Sequence, residues 1–346
     1  VRGVWGVALR SLDRFSKKEA TRAGISVPAR AWFAAVVAVV ACAGCDPGGG
    51  AAAPPEPATP VVEAPSGPFV QVLGSVQDGG LPHAACACPR CEAARTDPSR
   101  RRRIASLAIV VPRSDEVYLV DATPDIREQL HELKGLRGRS DGFDRSPVDG
   151  VFLTHAHIGH YLGLAFFGFE AMHTTDLAAY CMPRMAELLR RNAPWEQLVT
   201  LGNIRLEPLS DGTAVTLGDG VRVTPVLVPH RDEYSETVGL LIEGPHRRLF
   251  YVPDTDGWSG WEPPLTDVLS GVDVAILDGT FYSGDELPGR DVSTIGHPLI
   301  VETMELLGPA VDAGDLEVWF THLNHSNPAL EPGSDATRTI EGRGFG

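Results

Sequence analysis

The sequence has no apolar run long enough to cross a bilayer, no internal repeat, and too little positive charge to hold a polyanion. A spanning helix needs about 20 consecutive apolar residues, and the apolar run at 31–41 falls well short. Lysine and arginine number 30 against 45 aspartates and glutamates, a formal net charge of −15. The first 44 residues carry seven basic and two acidic side chains, which leaves the remainder near −20. A nuclease wants a basic groove for phosphates, so nucleic acid is not an expected partner. Cysteine is scarce, six in 346 residues, yet three of the six fall at 86, 88 and 91. With 43% hydrophobic residues the chain has material for a sizeable core.

The start of the chain reads as targeting sequence. Basic residues run from Arg2 to Arg30, the apolar run 31–41 follows, and two cysteines end it. Val39-Val40-Ala41-Cys42 and Cys42-Ala43-Gly44-Cys45 both resemble the cleavage box of a bacterial lipoprotein signal, so lipid is expected on Cys42 or Cys45. Residues 1–45 are therefore read as a leader and 46–68, rich in glycine, alanine and proline, as a flexible tether. This predicts export to the periplasmic face of a membrane, touched only through the lipid; without the leader the protein would be cytoplasmic. A folded domain is expected over 69–331 and a disordered tail over 332–346.

Short β-rich runs begin after Pro68, at 69–73, 106–111, 117–120 and 150–153, and again at 204–209, 221–228, 238–242, 249–252, 274–277 and 316–320. Helical stretches are predicted at 124–133, 183–191 and 299–307, the first two opened by proline. Strands in both halves with helices between them predict two packed sheets with helices outside, a four-layer αββα sandwich.

The densest chemistry lies in Leu153-Thr154-His155-Ala156-His157-Ile158-Gly159-His160. Neutral imidazole is a good ligand for zinc or iron, and three on one short turn behind a strand converge if the chain bends sharply, as Gly159 allows. His230, Asp254 and His322 each follow an apolar strand, the placement that brings strand ends into one cleft. Asp256 is a rival to Asp254. His83, His131, His173, His246 and His297 have no partner that the sequence identifies, and Arg100 to Arg103 read as a solvated face.

From about Phe69 to Leu330 the chain resembles the metallo-β-lactamase superfamily. Within it, Leu73-Gly74-Ser75, Gly79-Gly80, Cys86-Ala87-Cys88-Pro89-Arg90-Cys91 and Asp121-Ala122-Thr123-Pro124-Asp125-Ile126-Arg127 resemble the coenzyme PQQ biosynthesis protein B family. The cysteine cluster is also similar to that of the phosphodiesterase of the carbon–phosphorus lyase pathway. The resemblance implies a catalytic site of His155, His157, His160, His230, Asp254 and His322, with Asp254 as the catalytic carboxylate that bridges two metals. It further implies that Asp121 orients a metal-bound histidine from behind; Asp278 would do likewise or cap a turn. The family loop carries aspartate immediately before its third histidine, where this chain has Gly159. One catalytic ion or two therefore stay open: His155, His157 and His230 suffice for one zinc with a free position, and His160, His322 and Asp254 also suit iron(II).

Cys86, Cys88 and Cys91, with His325 as fourth ligand, are expected to form a closed structural zinc site. A disulfide is the alternative in an oxidising compartment, but it would leave one thiol odd. Cys181 reads as a buried apolar residue. The expected function is hydrolysis of a small ester or phosphodiester by metal-bound hydroxide, the catalytic ion being Zn2+, Mn2+ or Fe2+. Glu233 and Tyr234 lie near His230 without an assigned role. The rivals are a non-haem iron oxygenase of the coenzyme PQQ kind and a non-catalytic metal-binding lipoprotein. Oligomeric state is open.

Overall fold

The computed structural model describes residues 65–134, 136, 145–287, 289 and 296–346. The leader expected at 1–45, with both candidate lipid sites, and all but the last residues of the tether at 46–68 lie outside the described residues.

Twelve strands form two mixed six-stranded sheets among the described residues. The first has the order β1 (Phe69–Gly74), β2 (Ser106–Val111), β3 (Glu116–Val120), β4 (Gly150–Phe152), β5 (Leu177–Cys181), β6 (Ile204–Pro208). The second runs β12 (Glu317–Thr321), β11 (Val274–Asp278), β10 (Arg248–Val252), β9 (Val238–Glu243), β8 (Arg222–Leu227), β7 (Val215–Thr216). Buried strands need apolar residues on both faces, and β2 has them: Leu107, Ile109 and Val111 pack between the sheets, while Ala108 and Val110 face a helical layer. On the opposing sheet Leu240, Ile242, Tyr251 and Ile276 complete the central layer, and Phe250, Val252, Ala275 and Leu277 turn outward.

Helices close both outer faces, as the four-layer expectation required. Helix α1 (Pro89–Thr96) carries Cys91, the third cysteine of the cluster, and α2 (Ile126–Leu133) covers the first sheet through Ile126 and Leu133. After α3 (Ile158–Tyr161), α4 (Pro183–Arg191) packs there through Met185 and Leu189, followed by α5 (Trp195–Thr200). Helices α6 (Leu265–Val268) and α7 (Ile300–Asp312) cover the second sheet through Leu265, Ile300, Met304 and Leu307.

Residues 332–346 are a correction. Instead of a disordered tail they carry α8 (Asp335–Gly342), capped by the Ser334 hydroxyl, which accepts from the Thr337 N–H at 3.0 Å. Ile340 and Phe345 enter the core of the second sheet, Phe345 stacks on Phe320, and the Gly346 carbonyl accepts from the Phe320 N–H at 2.9 Å. Two buried apolar residues among polar neighbours are a weak pattern, so only the tertiary partner reveals this helix.

Candidate metal centre

Parallel pairing places the chemistry at one edge. β10, β11 and β12 pair in parallel, with Val252 opposite Leu277 and Asp278 opposite Thr321, so Asp254, Asp278 and His322 leave the sheet side by side. β8 and β10 are both antiparallel to β9, which brings His230 to the same edge. In the other sheet β3 and β4 are parallel, with Val120 opposite Phe152, so Asp121 stands beside the turn that carries the three histidines.

All six expected residues meet. Asp254 Oδ2 lies 3.2 Å from His230 Nε2, 3.3 Å from His155 Nε2, 3.8 Å from His157 Nδ1, and 3.9 Å from both His160 Nε2 and His322 Nε2. His157 Nδ1 and His230 Nε2 are 3.1 Å apart. Four tetrahedral ligands at Zn–N distances of 2.0–2.1 Å would be separated by roughly 3.3 Å. His155, His157, His230 and Asp254 therefore form one compact donor set, and His160 and His322 face a second.

Atoms behind the ligands fix which nitrogen faces inward. His160 Nδ1–H donates to Asp121 Oδ2 at 2.7 Å. The Thr154 hydroxyl donates to Asp121 Oδ2 at 2.9 Å and accepts from His155 Nδ1–H at 3.0 Å. The second sheet repeats the device: the Thr280 hydroxyl donates to Asp278 Oδ1 at 2.7 Å and accepts from His322 Nδ1–H at 2.9 Å. His230 Nδ1 bonds Asp256 Oδ1 at 3.1 Å, and His157 Nε2 lies 3.4 Å from Glu233. With Nδ1 protonated, the Nε2 lone pairs of His155, His160 and His322 point inward, and these three atoms are buried without a hydrogen-bond partner. Buried polar atoms are rarely left so. Orphaned acceptors converging on a carboxylate are what a divalent cation fits, and the donor set therefore suits one.

The electrostatics agree. Burial pushes the Asp254 carboxyl up, but His322, His155, His157 and His230 outweigh it and hold the group well below the usual carboxylate range. Burial, with His160 adding to it, depresses His155 well below the usual imidazole value. Burial also lowers His160, yet Asp121 outweighs it and raises the group. Asp121 and His322 adopt left-handed backbone, φ +64° and +61°, a conformation that costs a non-glycine residue about 1–3 kcal/mol and that clusters at functional sites.

Three neighbours were not assigned from the sequence. Asp256, weighed as a rival to Asp254, stands behind His230. Asp78 Oδ1 is 3.5 Å from His160 Nε2 and 3.6 Å from His322 Nε2. His297 Nδ1 bonds Asp278 Oδ2 at 2.9 Å and lies 3.4 Å from Asp254 Oδ1. Burial lowers His297, but Asp278 overcomes it and pushes the imidazole up to about 9.

Cys86, Cys88 and Cys91 gather as free thiols with their sulfurs within 4.8 Å of one another. Burial pushes Cys91 up to about 11. His325, expected as the fourth ligand, is not within 4.8 Å of all three sulfurs, yet its carbonyl accepts from Arg90, between Cys88 and Cys91, at 2.7 Å, which keeps it beside the cysteine loop. Its Nδ1 bonds Asn324 Oδ1 at 3.0 Å and its ring lies 4.2 Å from that of His83. Cys181 is buried in β5, as expected, with its thiol pushed up to about 12 by burial.

Two stacked mixed sheets with histidines and aspartates at one edge define a metal-binding α/β sandwich, and the match of a β-lactamase superfamily domain to residues 117–323 shows that the chain belongs to the metallo-β-lactamase superfamily. That segment holds every clustered histidine and Asp254; Asp78 and the three cysteines precede it. More narrowly, the chain is similar to coenzyme PQQ synthesis protein B of Methylobacterium radiotolerans, 31% identical over 300 residues that cover 80% of this chain and 96% of that protein. The same protein of Methylobacterium nodulans is 31% identical over 291 residues, covering 79% and 95%. Among solved structures, Zn2+-bound PqqB from Methylobacterium extorquens aligns with TM-score 0.67 and 25% identity over 80% of this chain and 96% of that one. A diphosphatase from the PhnP family shares the fold, with TM-score 0.54 and 21% identity over 75% and 88%.

Proposed function

We propose that the protein is a metal-dependent hydrolase acting on a small ester or phosphodiester. The observation that carries this reading is Asp254 Oδ2 at the centre of five imidazoles, each 3.2–3.9 Å away. In this reading His155, His157 and His230 hold one divalent ion, His160 and His322 help to hold another, and Asp254 bridges them. Such ions supply Lewis acidity and lower the pKa of a coordinated water from 15.7 to roughly 7. The chain supplies orientation: Asp121, Thr154, Asp278, Thr280 and Asp256 turn the Nδ1 protons of His155, His160, His230 and His322 outward, so that their inward Nε2 atoms stay free to coordinate, whereas His157 faces inward through Nδ1 with its Nε2 toward Glu233. His297, anchored through Nδ1 by Asp278, is the imidazole best placed to hold a proton beside Asp254. Ile158 and Tyr234, 59% and 60% exposed next to ligands in the sequence, offer apolar contact to an organic substituent.

A second reading has support in the names of the relatives, which place them in coenzyme PQQ synthesis. Two histidines with a carboxylate also suit iron(II) and oxygen chemistry. Bound metal and turnover separate the two. Zinc or manganese with hydrolysis of bis(p-nitrophenyl) phosphate, abolished in Asp254→Asn, is the expected result; bound iron with oxygen consumption and no hydrolysis would overturn it. Neither activity with metal bound would leave a non-catalytic metal protein. We also propose that the domain is exported and tethered by lipid on Cys42 or Cys45, away from cytoplasmic precursors.

A further inference from the structure

The position before the third histidine of the ligand turn is Gly159, so that turn supplies no carboxylate of its own. A different loop fills the same place. Asp78 follows Val76, whose backbone bridges both Ile104 and Leu323, and Gln77 N–H donates to the Leu323 carbonyl at 3.0 Å. Pairing with the residue next to His322 therefore sets where Asp78 falls. Its Oδ1 lies 3.5 Å from His160 Nε2 and 3.6 Å from His322 Nε2, and all three atoms are buried without a hydrogen-bond partner.

The two positions are sterically exclusive. A Cβ added at Gly159 would overlap the Asp78 carboxylate, with Asp78 Cγ 2.6 Å and Cα 2.9 Å away. Real Cβ atoms do not approach so closely, so any side chain at 159 must displace Asp78. A purely structural ion pair with His160 explains less. His160 Nδ1–H already donates to Asp121, and at 3.5 Å its Nε2 forms no hydrogen bond with Asp78. Two imidazole nitrogens and a carboxylate oxygen, buried, unbonded and within ligand distance of one another, fit a cation among them.

We propose that Asp78 is the terminal carboxylate ligand of a second divalent ion, shared with His160, His322 and the bridging Asp254, and that Gly159 is required because it leaves room for that carboxylate. The site is then dinuclear although the signature turn lacks its aspartate. The assignment rests on reading the histidine cluster as a metal site.

Metal content of the purified full chain, expressed with zinc and dialysed against metal-free buffer, tests it in the wild type, Asp78→Asn and Gly159→Ala. Gly159→Ala alters no ligand, yet both variants are expected to hold one metal fewer per chain than the wild type, with an unchanged far-ultraviolet circular dichroism spectrum and whatever metal the cysteine cluster holds in the wild type retained. A wild-type count kept in either folded variant would overturn the assignment while sparing the hydrolase reading. A wild type with no metal beyond the cysteine site would sink both. Should Gly159→Ala not fold, the isosteric Asp78→Asn decides alone.

Discussion

Asp121 holds two histidines at once, one directly and one through the Thr154 hydroxyl, and it does so fully buried. Loss of such an outer partner costs about 10–100-fold in metal affinity. Asp121→Asn keeps the volume but weakens the acceptor for His160 Nδ1–H. Zinc affinity, measured by competition with a chromophoric chelator, should fall by about that factor; an unchanged affinity would mean that Asp121 serves only the backbone of the turn. At this scale the sequence was legible where a ligand sits on the histidine turn or directly behind an apolar strand, as His155, His230, Asp254 and His322 do. Asp78 gave no such signal, because the strand predicted at 69–73 does not run directly into it and a bridge from Val76 to Leu323, far along the chain, brings it in. His297 was equally silent, since its meaning depends on Asp278, 19 residues earlier in the chain. His325 lies beside the cysteine loop through Arg90 and His83, but a spacing of three from His322 says nothing about where its ring points.

Among the elements, strands were read closely because their Val, Ile and Leu runs are buried on both faces, and β2 was recovered with its bounds intact. Short β5 and β7 were missed, as was α8, whose sequence carries polar residues at most positions. Helix α8 and the residues after it nonetheless contribute to the second sheet. Ile340 and Phe345 are 5% and 4% exposed, and full burial of such side chains stabilises by about 1.5–3 kcal/mol each. Deletion of residues 332–346 should therefore lower unfolding stability by roughly 3–6 kcal/mol, read as an earlier urea midpoint. It would also uncover Trp319, against which Gly346 packs. A midpoint that stays in place would show that α8 only rests on the domain. The cysteine loop is different in kind: Val76, ahead of it, bridges Leu323 beside His322, so the segment leading to the thiol cluster is tied to the strand end that carries His322.

For the whole molecule, charge decides what the proposed anchor must do. Beyond the leader the chain carries a formal charge near −20, and an anionic membrane surface repels such a body over a Debye length of about 8 Å at physiological salt. No helix of the described residues is long and apolar enough to cross a membrane. In the proposed anchoring, membrane association comes from acyl chains, each buried CH2 contributing about 0.8 kcal/mol. Metabolic labelling with palmitate should mark the full chain and place it in the membrane fraction. Either Cys42→Ser or Cys45→Ser should abolish the label and release the protein at high salt, which screens the attraction of the basic leader. Its metal content should not change, since 46–68 separate the leader from the domain. Retention of the unlabelled variant on membranes would point to an apolar or protein contact in place of lipid, and a wild type that never takes up label would remove the anchor while leaving the metal centre as described.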